Sequence, residues 1–82
     1  MQGKGEPAAQ RGEYDRALEG VEFPASKFEI LERARDKGGL DHEVIAMLER
    51  LPVGEYETLE ALTAAIREMY IADGYDTSAL PL

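Results

Sequence analysis

The chain has 82 residues, with 9 basic and 17 acidic side chains, a formal net charge of −8, one histidine and no cysteine. That length holds one domain with a small core, because a chain of this size buries only about 60–65% of the surface its unfolded form exposes. The lack of cysteine excludes disulfides, thiolate metal sites and a cysteine nucleophile, and a lone histidine excludes any site built on two imidazoles.

No apolar run is long enough for a signal h-region or a membrane span, so a soluble, cytoplasmic protein is expected, with no cofactor. The charge is unevenly spread. Residues 1–26 carry three basic and five acidic side chains, residues 27–50 five and six, and residues 51–82 one and six. The last third therefore repels a phosphate backbone, while the middle is nearly neutral.

Residues 1–12, rich in Gly, Gln and Ala, read as a flexible leader, residues 13–74 as a single helical domain, and residues 75–82 as an irregular tail. Glu13–Glu19 forms a short helix if Tyr14 and Leu18, four apart on one face, dock on a core, and Gly20 stops it. Val21-Glu22-Phe23 alternates apolar and acidic, and Pro24 biases Phe23 toward an extended conformation. A helix follows from Ser26 to Lys37, with Ser26 and Glu29 in a capping-box pattern. Phe28, Leu31 and Ala34 form its inward stripe, with Ile30 beside it. Gly38-Gly39 ends it.

Asp41 caps the next helix, which runs to Leu51 with Val44, Ile45, Leu48 and Leu51 spaced for burial, Met47 flanking them and Pro52 closing the pattern. Glu55-Tyr56-Glu57 repeats the earlier alternation. Thr58 then caps the longest helix, Leu59 to Ala72, whose apolar face is Leu59, Leu62, Ala65, Ile66, Met69 and Tyr70, with Gly74 as its C-cap. The elements predict an all-α fold: a compact three- to four-helix domain flanked by two short extended segments, around Phe23 and Tyr56, that can pair.

None of the chemistry-bearing residues forms a convincing catalytic set. Asp41-His42-Glu43 invites a metal reading, but adjacent helical positions point about 100° apart and do not converge on one ion. The acids fall on polar faces, in caps or in turns, which reads as solvated carboxylate and not as an acid–base pair. Gly38-Gly39 lacks the Lys-Ser/Thr of a phosphate loop and has no strand before it. Lys27, Arg33, Arg35 and Lys37 form the only basic cluster, on a helix that could open a helix-turn-helix. The helix after it begins Asp-His-Glu, an unsuitable start for a base reader. Tyr70, Ile71, Tyr75 and Leu80 give the carboxyl end more apolar groups than a solvated tail needs. They either cap the core or form a docking surface.

The run Leu18-Glu19-Gly20-Val21-Glu22-Phe23-Pro24-Ala25-Ser26-Lys27, with Leu31, Ala34 and Leu48-Glu49-Arg50-Leu51-Pro52 after it, resembles the bacterial domain of unknown function 2795 family. That family's pattern is a Leu-x-Gly start, an aromatic-Pro-Ala-x-Lys step, two helices, and Leu-Pro followed by a Tyr, the place Tyr56 fills here. Ala65-Ile66 is similar to its closing helix, and the likeness covers about residues 14–68. The resemblance implies a compact helical domain and carries over no catalytic or binding residues.

The expectation is a non-catalytic protein-interaction or regulatory module, self-associating or binding another chain through the last helix and tail. The alternative is a nucleic-acid-associated regulator using the Lys27–Lys37 face. An enzyme ranks last.

Overall fold

In the computed structural model, which describes Pro7 and residues 9–82, the chain is mostly helical. Four α-helices, α1 (Glu13–Leu18), α2 (Lys27–Lys37), α3 (His42–Arg50) and α4 (Leu59–Ala72), are joined by a two-stranded antiparallel pair, β1 (Ala25–Ser26) and β2 (Glu55–Tyr56). A 3-10 turn, Thr77–Ala79, follows α4.

The helix limits follow from caps. The Ser26 hydroxyl accepts from the Glu29 N–H, and the Glu29 carboxylate accepts from the Ser26 N–H, so the capping box is complete. Asp41 accepts from the Glu43 N–H and Thr58 from the Ala61 N–H. At the end of α4, Gly74 takes φ +94°. Its N–H donates to the Ile71 carbonyl and the Tyr75 N–H to the Tyr70 carbonyl, a Schellman closure. The Tyr75 ring lies edge-on to Tyr70 with centroids 5.3 Å apart, supplying the apolar contact that accompanies this motif.

The two extended segments do pair, but one of them is shifted. The strand is Ala25–Ser26, beyond Pro24, and its register sets Ala25 opposite Tyr56 and Ser26 opposite Glu55. Proline lacks an N–H for a ladder, so the pairing that begins at Ala25 does not run back through Pro24 to Phe23. Ser26 thus ends the strand and caps α2. The next residue ties the two together again, as the Lys27 N–H donates to the Gly54 carbonyl.

Helix α2 is central, packing against α1 on one side and α3 on the other. Its buried residues are Ile30, Leu31 and Ala34. Phe28, expected in the inward stripe, is instead 61% exposed. At about 100° per residue, Ile30, Leu31 and Ala34 share an arc of about 100°, and Phe28 falls about 60° beyond it. Val44, Met47, Leu48 and Leu51 meet that arc from α3, and Leu62, Ile66 and Tyr70 close the core from α4. Leu59, at the open start of α4, is 45% exposed and not part of its buried face.

Described residues of both flanks lie on the core. Ala9, within the expected leader, is buried, as is Leu80 in the expected tail. Pro7, Ala9, Gln10 and Arg11 share a shallow cavity with residues 78–81. Residues 1–6 and 8 fall outside the described residues.

These positions predict graded costs in urea denaturation. Leu48→Ala, at a site with no exposure, is expected to cost about 2–5 kcal/mol. Ser26→Ala should cost about 1 kcal/mol through the lost cap. Phe28→Ala, on the surface, should stay within about 0.5 kcal/mol.

Candidate functional site

The main polar feature of the interior is a chain of three side chains from three helices. The Tyr70 hydroxyl donates to Glu43 Oε2 at 2.7 Å. That uses its only proton, so the Tyr14 hydroxyl, 2.7 Å away, donates to Tyr70. The two rings meet edge to face with centroids 6.2 Å apart. Glu43 Oε2 also accepts from the Ala9 N–H at 3.2 Å, which fastens Ala9 to α3. Burial pushes the Tyr70 hydroxyl far above its ordinary value near 10, and its bonds to Tyr14 and Glu43 push it further. Burial also raises Tyr14, partly offset by its bond to Tyr70 and reinforced by the Glu43 charge. Both hydroxyls stay protonated at neutral pH and out of contact with solvent. The arrangement ties elements together and offers no acid–base site to a substrate.

The sequence placed Tyr14 and Tyr70 inward and Glu43 in a first turn, but did not join them. The signal was present: an inward tyrosine needs a partner for its hydroxyl. The partners are 56 and 27 residues apart, too far for periodicity to connect.

The basic cluster divides between two sides of α2: Lys27, Arg33 and Lys37 fall within an arc of about 120°, and Arg35 lies outside it. Arg33 and Arg35 lie about 200° apart around α2, so they point to opposite neighbours. Arg33 donates to the Gly20 carbonyl at 2.7 Å, Arg35 pairs with Glu49, and Lys37 pairs with Glu19 at 3.2 Å. Lys27 lies over the Phe28 ring, 5.8 Å from its centroid. Three of the four are thus held by groups of the chain itself.

The apolar carboxyl-terminal cluster is not a surface. Tyr70 and Leu80 are buried and Tyr75 is half-buried against Tyr70, leaving Ile71 exposed. The extra apolar groups fold back because α4 alone cannot cover the end of so small a core. His42 is exposed, and among the described residues no group of three or more His, Cys, Asp or Glu is placed to hold a metal ion. No helix among them is long and apolar enough to cross a membrane.

A groove not foreseen as a unit lies between α1, the segment after it and the start of α4. Leu18, Val21, Phe23 and Leu59 form its apolar floor and wall, and Asp15, Arg16 and Glu19 line it alongside them. Each residue owes its place to a local cause. Leu18 ends α1, the Gly20 turn at φ +84° reverses the chain, and the 21–23 alternation turns Val21 and Phe23 to one side. Leu59 overhangs as the first residue of α4.

Fold and surface together define a small, mostly helical domain, closed by a minimal antiparallel pair, with a shallow apolar groove. The sequence model of the family of proteins of unknown function DUF2795 matches residues 9–63, more than half of the chain, and the protein belongs to that family. The matched region begins at Ala9, the residue bonded to Glu43, and contains all four apolar groove residues. Neither a curated protein nor a solved structure matches the chain.

The tyrosine chain yields two predictions. Tyr70→Phe strips Glu43 of a donor and Tyr14 of its acceptor, and is expected to cost about 1–3 kcal/mol in urea denaturation. Because burial raises both tyrosines in the folded state, their contribution is complete below the ordinary value of 10. It is lost as pH rises above that value. Stability measured across the alkaline range should fall by about 1.4 kcal/mol per pH unit for each tyrosine. Tyr14→Phe should remove one such increment from the slope.

Proposed function

We propose that the protein is a non-catalytic interaction domain that docks a segment of another protein in the groove of Leu18, Val21, Phe23 and Leu59. The observation that carries this reading is the concave grouping of apolar side chains from three separate segments, with Leu59 45% exposed at its edge. A leucine left in water at a helix start contributes little to folding, whereas in a groove it serves as an anchor for a bound chain. This moves the interface from the tail, where Tyr70 and Leu80 are buried, to the opposite end of α4. The docking reading is preferred to the nucleic-acid one because Arg33, Arg35 and Lys37 already have partners in Gly20, Glu49 and Glu19, which a phosphate would have to displace.

A photo-crosslinking side chain at position 59, in the full chain in its native cell, tests the proposal. Discrete adducts are expected at position 59 and not at exposed Glu68. A second substitution, Val21→Glu, should reduce them at least tenfold, the loss expected from charging an interface anchor. Circular dichroism should show the variant still folded. Equal adducts at both positions, or none at 59, would overturn the assignment.

A further inference from the structure

The charge around the groove points to what occupies it. Of the three ionisable residues that line it, two are acidic. Asp15 is exposed and makes no ion pair among the described residues, while Glu19 remains 75% exposed although it meets Lys37. Arg16, the one cation, has its guanidinium beside Gly39 at the turn between α2 and α3. Leu59 is flanked in sequence by Glu57 and Glu60, both exposed and without an ion pair among the described residues. Over residues 51–82 six acids face one base, Arg67. The groove is thus an apolar strip whose surroundings carry an acidic excess: Asp15, Glu19, Glu22, Glu57 and Glu60 outnumber Arg16, Arg33 at Gly20 and Lys37 at Glu19.

That field separates the occupants. A second copy would bring the same acidic rim against itself, since a two-fold interface joins like surfaces, and each chain carries −8. An anionic bilayer surface is repelled for the same reason. A segment with an apolar side and lysines or arginines beside it gains on both counts: its apolar groups cover Leu18, Val21, Phe23 and Leu59, and its charges meet Asp15, Glu57 and Glu60. Resting on the docking role proposed above, we infer that the partner is a basic amphipathic segment of another protein.

Synthetic peptides with the same leucine spacing and with lysine, glutamine or glutamate elsewhere test this, together with a leucine-free Gly/Lys peptide of matched charge. Each is titrated into the isotopically labelled full chain, and binding is followed by the signals of Leu18, Val21, Phe23 and Leu59. The Leu/Lys peptide is expected to shift those four signals and to bind at least tenfold more tightly than the Leu/Gln peptide. The advantage should shrink as salt rises from about 0.05 to 0.5 M, where screening shortens to a few ångströms. The triple variant Asp15→Asn, Glu57→Gln, Glu60→Gln should lose most of that advantage while keeping its Leu/Gln affinity.

Equal binding of Leu/Lys and Leu/Gln peptides in the groove would overturn the basic partner and leave the docking role standing. Equal binding of the Gly/Lys peptide, or shifts centred elsewhere on the acidic surface, would overturn the inference as well. No peptide moving the groove signals would overturn the docking role itself. A dimer in sedimentation that Leu59→Glu converts to monomer would make a second copy the occupant, against the inference.

Discussion

Two tyrosine hydroxyls enclosed in a core this small cannot be left without partners, and the fold is built around satisfying them. Tyr14 donates to Tyr70 and Tyr70 to Glu43, a route that crosses from α1 to α4 to α3. The Ala9 N–H meets the same carboxylate oxygen, so the segment before α1 is held by it too. Apolar burial is indifferent to small shifts in how helices meet, whereas hydrogen bonds near 2.7 Å are not. The chain of hydroxyls therefore sets how the helices are placed, and the buried leucines and isoleucines supply most of the energy that keeps them there.

Helix positions were legible because their ends carry chemistry readable within four residues. Ser26 with Glu29, Asp41, Thr58 and Gly74 each act where their spacing says, since a cap bonds only to its own first or last turn. Which side of a helix faces inward was less legible. Phe28 sits three residues before Leu31, a spacing that fits a stripe, but the neighbours that α2 meets select the arc of Ile30, Leu31 and Ala34. The strand also shifted: alternation at 21–23 announced an extended segment, while the partner strand pairs with Ala25 and Ser26, and Pro24, with no N–H, ends the ladder there.

The surface was harder to foresee than the core. Four basic residues within eleven positions suggested a face; Lys27, Arg33 and Lys37 share one side of α2, while the turn from Arg33 to Arg35 gives those two different partners. The carboxyl-terminal apolar residues were correctly seen as too many for a solvated tail. Whether they cover the core or face outward depends on how much of the core α4 leaves bare, which no local pattern records. The groove draws on α1, the turn after it and the first residue of α4. Every member was identifiable in sequence, but their grouping belongs to the tertiary structure.

The meeting of Pro7, Ala9, Gln10 and Arg11 with residues 78–81 bears on how the domain comes apart. Helices joined by short connections open and close locally, and their ends are ordinarily the first parts to fray. Here the two flanks of the chain share one seam: Ala9 is bonded to Glu43, and Leu80 is buried beside it. Lifting Ala9 opens the cavity that Leu80 lines, and lifting Leu80 does the reverse, so opening at the seam links positions far apart in the sequence. Closing the seam brings together residues about 70 positions apart, at a loop-closure cost that grows only slowly with that separation. A domain assembled mostly from local helices thereby gains a latch that joins its first described residues to its last.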